Sequence, residues 1–180
     1  MHIGIVIAIV LASSIGCVLL FWLLYGWYSW NKLKHLNPKL PRVAIDPREY
    51  SGKWYEFASV PARFERGCSN TTAEYSVDGD RLRVLNTCFR NNHWTRASGY
   101  AYPTKNPGVF GVSFFPGVFG NYTVIYRDPT TSIVSDSGMK YLWILSRTPQ
   151  ISEKKERALL TWLRRQQFDT DRLSYAKHDR

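Results

Sequence analysis

Acidic and basic side chains are missing from the whole stretch ahead of Lys32. Histidine is scarce: His2, His35, His93 and His178 stand at no metal-ligand spacing from one another or from the cysteines, so no metal centre is expected. No glycine-rich phosphate loop and no nucleophile elbow occurs. The chain therefore reads as a non-enzyme, with no catalytic residues and no cofactor. Internal repeats and low-complexity tracts are also lacking. No helical pattern interrupts the strand-rich middle of the chain, which argues against a parallel α/β sheet.

What is present falls into two unlike parts. Ile3 to Trp30, IGIVIAIVLASSIGCVLLFWLLYGWYSW, is uncharged and apolar. It exceeds the roughly 20 apolar residues that cross a bilayer. Trp22, Tyr25, Trp27, Tyr28 and Trp30 crowd its C-terminal end, where an aromatic belt would meet headgroups. A retained transmembrane anchor over residues 1–31 is expected. The alternatives are a cleaved signal, or a lipid-bearing N-terminus at Ser14-Ile15-Gly16-Cys17. The second part is aromatic and basic: aromatics make up 15 % and the formal net charge is +10. The basic residues are scattered rather than blocked, which suits solubility or an anionic membrane surface and gives no sign of nucleic acid.

Residues 32–45 read as a linker with the proline-containing NPKLPR, and 46–180 as the domain. Asp46-Pro47 is an N-cap followed by a first-turn proline. Eight strand-like segments come next: Trp54–Val60, Thr71–Val77, Arg81–Phe89, Arg96–Tyr102, Val109–Phe115, Asn121–Arg127, Thr131–Ser135 and Tyr141–Arg147. Gly, Pro, Asn and Asp turns separate them, as in an antiparallel meander, sandwich or barrel. From Ile151 the period changes. Ser152 is an N-cap, and Ala158, Leu159, Trp162 and Leu163 form one apolar helical face.

An eight-stranded barrel encloses side chains or one small ligand, and one end must be sealed. Closure sets the start of the first strand beside the end of the last. Trp54 and Arg147 are then suited to a cation–π lid, with Gly52 relieving bulk where the chain turns beneath. These residues carry a resemblance. Gly52-Lys53-Trp54-Tyr55 and the run Tyr141 to Pro149, YLWILSRTP, resemble the first and last motifs of the lipocalins. WYEFASVPARFERGC, TAEYSV, LRVLNTC and VSFFPGVFGNYTVIYRD resemble, in order, segments of the bacterial lipocalin and apolipoprotein D group. The resemblance runs from about Asp46 to Tyr175. The middle T-D-Y motif survives only as Asp128, and the N-terminal segment is unlike the short lipoprotein signal of the bacterial relatives.

The resemblance implies an all-β fold: an eight-stranded antiparallel up-and-down barrel with a C-terminal helix. It also implies binding, with carriage or storage as its use, of a small hydrophobic ligand such as a fatty acid or lysophospholipid. Strand alternation selects inward candidates: Glu56, Ala58, Val112, Phe114, Tyr122, Val124, Tyr126, Tyr141, Trp143 and Leu145. Each is equally suited to simple core filling. Glu56 stands out, because a buried carboxylate is costly unless paired. The loop from Pro61 to Gly67 is expected over the open mouth, with Arg63, Glu65 and Arg66 near an anionic headgroup and Phe64 over the tail; a solvated loop is the plainer alternative.

Cys68 and Cys88 lie close to opposite positions of a hairpin centred on Gly79. A bulge would bring them together as a disulfide, and two reduced cysteines are the alternative. A disulfide implies an oxidising compartment. The sequons at Asn70 and Asn121 are compatible with that, whereas Lys32, Lys34, Lys39 and Arg42 after the span favour the cytoplasm. The domain is thus expected on the extracytoplasmic side of a membrane, or secreted or lipid-anchored after processing. A lipocalin-fold enzyme acting on a lipid and a ligand-free interaction module are the alternative functions. A disulfide would leave no free thiol in the barrel for such an enzyme.

Overall fold

A computed structural model describes residues 2–60, 62 and 65–179, with residues 2–15 described by backbone alone. Helix α1 (His2–Lys32) precedes the one-turn helix α2 (Pro47–Tyr50). Asp46 caps α2 by accepting from the Arg48 amide at 2.7 Å. Eight strands follow: β1 (Gly52–Val60), β2 (Ser69–Asp78), β3 (Arg81–Arg90), β4 (His93–Pro103), β5 (Val109–Phe115), β6 (Val118–Arg127), β7 (Thr131–Ser135) and β8 (Leu142–Ser146). Helix α3 (Glu153–Arg165) and the two-residue strand β9 (Ser174–Tyr175) complete the order.

Every neighbouring strand pair is antiparallel, and β1 pairs with both β8 and β2, so the sheet closes on itself. All eight expected strands form: five are longer than their turn signals suggested, β5 and β7 match, and β8 is shorter. Helix α3 also forms, capped by Ser152. Its Leu159 and Leu163 pack with Val60, Ile125, Ile133, Leu142 and Ile144 on the outside of the barrel. A second cluster fills the inside, from Trp54, Tyr75, Leu82 and Val84 to Phe110, Val124, Val134 and Leu145.

Closure between β1 and β2 is short. Their pairing runs only from Gly52 to Tyr55, after which the strands part. The C-terminal segment enters the gap. β9 pairs with Ala58 and Ser59, the Ala176 amide donates to the Phe57 carbonyl, and the Asn70 amide on β2 donates to the Lys177 carbonyl at 2.7 Å. The Asn70 side chain bonds Asp179 in both directions, at 2.9 and 3.0 Å.

That packing removes the sequons as a guide to location. Asn70 is 2 % exposed, and the Asn121 Nδ2 is buried with no partner among the described residues. Neither sequon offers its amide nitrogen to solvent, so neither indicates a compartment.

The segment expected as a linker is packed rather than free. Leu33 and Leu40 are buried, the Val43 amide donates to the Val124 carbonyl, and the Gly108 backbone lies against Val43. Helix α1 leans on the β5–β6 hairpin: Trp30 meets the Phe119 ring edge-on at 5.0 Å, and Leu33 sits over Gly111. Among the described residues no helix is long and apolar enough to cross a membrane. The expected single-pass span is therefore not supported. The side chains described in α1 begin only at Gly16, short of the roughly 20 residues a crossing takes.

Candidate functional site

The closed end is built around Trp54. Its ring is fully buried, its Nε1 donates to the Tyr50 carbonyl at 2.8 Å, and the Arg147 guanidinium lies 3.7 Å from the ring centre. Arg147 is held in that position by donating to the carbonyls of Lys53 and Glu49, at 3.0 and 2.8 Å. Gly52 has φ +92, a conformation costly for residues with a Cβ, as the chain turns under the guanidinium. Asp128 caps the turn into β7 through the Thr130 and Thr131 amides, and accepts from the Tyr126 hydroxyl and from Lys155. Burial pushes its carboxyl up, but the Lys155 ammonium and these hydrogen bonds outweigh that and hold it at about 2. Asp128 thus secures the turn even though the rest of its motif is gone.

Three tyrosines fill the base of the interior. Tyr122 Oη lies 2.8 Å from both Tyr50 Oη and Tyr75 Oη, and Tyr50 Oη lies 3.1 Å from Ser132 Oγ. Burial raises all three hydroxyls above their ordinary range, so they remain neutral.

Above this base the wall becomes polar on one side. Glu56 is 8 % exposed and accepts from Ser59 Oγ at 2.7 Å. Burial pushes its carboxyl up to about 7, against the pull of Ser59 and with a small addition from Glu65. Glu65 turns inward too, accepting from Trp143 Nε1 at 3.0 Å and from the Ala62 amide at 2.9 Å, and burial raises it as well. Asn86 follows Leu82 and Val84 on the inner face of β3, and its Oδ1 is buried with no partner among the described residues. A cavity of about 210 Å³ opens between β1, the mouth loop and the C-terminal segment, lined by Glu56, Ser59, Glu65, Arg66, Ser174 and Tyr175 among others. The Cys68–Cys88 disulfide, with Cα atoms 5.5 Å apart, ties the entrance of β2 to β3 at a register shift between Ser69 and Thr72.

The profile of the lipocalin-like domain family matches residues 45–178. The chain belongs to the lipocalins. An outer membrane lipoprotein, Blc, from Vibrio cholerae is 38 % identical over 145 residues, covering 76 % of this chain and 85 % of that protein. Apolipoprotein D from Macaca fascicularis is 31 % identical over 119 residues, 57 % of this chain and 61 % of that one. Among solved structures, insecticyanin from the tobacco hornworm Manduca sexta superposes with a TM-score of 0.64 at 20 % identity, over 78 % of this chain and 84 % of that one.

Within this lipocalin the predicted wall residues divide. Val112, Tyr122, Val124, Trp143 and Leu145 belong to the inner cluster, and the Tyr141 ring lies tilted 6.1 Å from that of Trp143, nearer the mouth. Phe114 covers Gly99 so closely that a Cβ there would sit 2.7 Å from its ring. Ala58 and Tyr126 are corrections, since both lie on the outside. A bulge at Phe57 shifts the β1–β8 register between Glu56 and Ala58, and a second at Ile125 shifts β6–β7 between Val124 and Tyr126. Each extra residue reverses the alternation beyond it. Ala58 therefore packs under α3, and the tilted Tyr126 and Trp162 rings lie 5.3 Å apart. Ser59 takes the inward place that Ala58 was expected to hold.

The mouth loop is corrected at Glu65, which faces inward as an acceptor, while Arg66 is exposed at the cavity edge. Arg63 and Phe64 lie outside the described residues.

The buried carboxyl of Glu56 makes stability depend on pH in a defined direction. Folded, it titrates near 7; unfolded, near the ordinary 4.5. Between those values the folded state keeps a proton that the unfolded state has released. Stability therefore falls as pH rises from about 4.5 to about 7, by on the order of 3 kcal/mol. Glu56→Gln is expected to remove that slope and to raise the urea midpoint at pH 8 more than at pH 5. Parallel pH profiles for the two proteins would refute the assignment.

Proposed function

We propose that this lipocalin binds, and carries or stores, a small hydrophobic ligand such as a fatty acid or lysophospholipid at a membrane, without catalysis. The supporting observation is the inner wall, where Val112, Tyr122, Val124, Trp143 and Leu145 supply apolar surface and Glu56 and Ser59 lie beside Leu145 and Trp143 on the neighbouring strand, with Glu65 bonded to Trp143. Pockets of this kind hold an apolar body and orient it by a few polar tips. A protonated Glu56 is able to donate to a carboxylate head. An ionised Glu56 beside Glu65 instead favours a head with donors. The outer membrane lipoprotein name of the bacterial relatives supports association with a membrane, on the extracytoplasmic side that the disulfide favours. Lipid modification after processing fits that reading.

Titration of the full chain with a fluorescent polyene fatty acid, followed by displacement with a lysophospholipid, tests the proposal. Saturable uptake is expected. Trp143→Ala should weaken it roughly ten-fold, as loss of a buried aromatic contact does, and Tyr126→Ala should leave it unchanged. No uptake of either lipid would sink the reading.

One observation favours a second reading. The cavity at the mouth, about 210 Å³, is smaller than the roughly 300–1,000 Å³ usual for ligand sites, and three tyrosines occupy the base. An interaction module with a side-chain-filled barrel has these features, and the same titration separates it from a carrier.

A further inference from the structure

The path of α1 past the barrel gives the molecule a lipid-facing end. Strand direction assigns the ends: Gly52 and Trp54 lie at the closed one, so the β3–β4, β5–β6 and β7–β8 turns all lie at the mouth. Helix α1 climbs the β5–β6 hairpin towards that same end. Leu33 and Trp30 meet Gly111, Trp30 meets Phe119, and Gly26 reaches Gly117 at the hairpin tip. The approach at the tip is close, since a Cβ on Gly26 would lie 3.2 Å from the Gly117 carbonyl oxygen. Ser29 fixes it, with its Oγ 3.1 Å from that oxygen and accepting from the Phe119 amide at 3.3 Å. The turns of α1 ahead of Trp22 therefore leave the barrel beyond the mouth, not beyond the floor.

Two further features share that end. The first is apolar: Phe115 is 71 % exposed and Trp94 49 % exposed at neighbouring hairpin tips, beside the exposed Phe21, Leu23 and Trp27 of α1. The second is charge. Arg66 and Lys140 are exposed at the mouth. The two carboxylates near them are directed elsewhere: Glu65 points inward to Trp143, and Asp136 accepts from the amides of Gly138, Lys140 and Tyr141. The closed end is mixed in charge, with Asp46, Glu49, Asp78 and Asp80 exposed among Arg48, Lys53, Arg83 and Lys105, and with Asp78 and Glu49 paired to Arg81 and Arg127. Apolar tips with two exposed cations at the same end, and an uncharged helix leaving that face, complement an anionic bilayer surface.

We infer that the mouth end, through Trp94, Phe115, Arg66 and Lys140, docks on an anionic lipid surface, so that the barrel opens directly onto the membrane. The inference rests on the membrane association proposed above and adds its orientation. It does not depend on the identity of the cargo.

Hydrogen exchange of the full chain, alone and on vesicles of phosphatidylcholine with or without phosphatidylglycerol, tests it. On the anionic vesicles, amides of residues 92–95 and 114–118 should exchange several-fold more slowly, and those of the floor turns 78–81 and 104–108 should be unchanged. The combined Trp94→Asp and Phe115→Asp variant should lose the mouth protection while remaining vesicle-bound. Arg66→Glu with Lys140→Glu should reduce the preference for anionic over neutral vesicles.

Equal protection at both ends, or protection of the floor alone, overturns the orientation. Concentration-dependent protection of the mouth without lipid assigns the surface to a second copy of the chain, and also overturns it. Failure of the chain to bind any vesicle refutes the underlying membrane association instead, and is read separately by co-sedimentation.

Discussion

Trp54→Ala is expected to cost about 3–5 kcal/mol of folding stability, the range for removing a fully buried large aromatic. The ring has no solvent contact, lies 5.1 Å from Tyr50 and carries Arg147 on its face. Its removal leaves a cavity at the one end of the barrel that must be sealed. It also withdraws the donor to the Tyr50 carbonyl and the surface on which the guanidinium rests. Part of the loss is therefore structural rather than volumetric. Arg147 still has its backbone acceptors, so it should stay near the floor without its stacking partner. Urea denaturation of the variant should show a much lower midpoint with an unchanged slope, and Trp54→Phe should recover a substantial part of the loss. A Trp54→Ala midpoint within error of the parent would mean that the floor is sealed by something else.

Reduction of the Cys68–Cys88 bridge should cost about 3 kcal/mol, judged from the loop it closes, a sequence separation of 20 residues. The bridge pins β2 to β3 just where β2 has parted from β1 and its register slips. No β1–β2 hydrogen bonding remains there to hold the strand. The double variant Cys68→Ser with Cys88→Ser should melt lower by the same amount and become indifferent to reductant. Intact mass before and after reduction should differ by two hydrogens for the pair. If wild-type and double-serine proteins unfold together in the absence of reductant, the bridge does not stabilise the fold.

The parts legible in the sequence were those with local signatures. Gly52, Trp54 and Arg147 announce the floor because closure brings the first and last strands together, and their residue types suit a single stacked geometry. The strands were legible from turn residues, and α3 from its cap and apolar face. The misplaced wall residues share one cause. Phe57 and Ile125 are ordinary strand residues, and nothing in their chemistry marks a bulge, yet each reverses the facing of the residues beyond it. Glu65 was misread because a charged residue in a loop is normally solvated. Its inward turn depends on Trp143, 78 residues away. The tyrosine base was missed for a similar reason: Tyr50 belongs to a helical turn outside the strands, and only the closed barrel brings it to Tyr122.

The C-terminal segment wedged between β1 and β2 has a consequence for how the protein comes into being. Asn70 and Asp179 are bonded across 109 residues, and His178 reaches the Glu56 carbonyl across 122. Contacts so distant in sequence form slowly, because a long loop must close before they reward it. During synthesis, β1 to β8 leave the ribosome well before the residues that close the seam. The nascent chain must therefore carry two open strand edges until residues 174–179 have been made and docked. Such edges invite pairing with other chains. Truncating the protein after Leu173 should thus show itself first as aggregation during expression, before any loss of the folded barrel is measured.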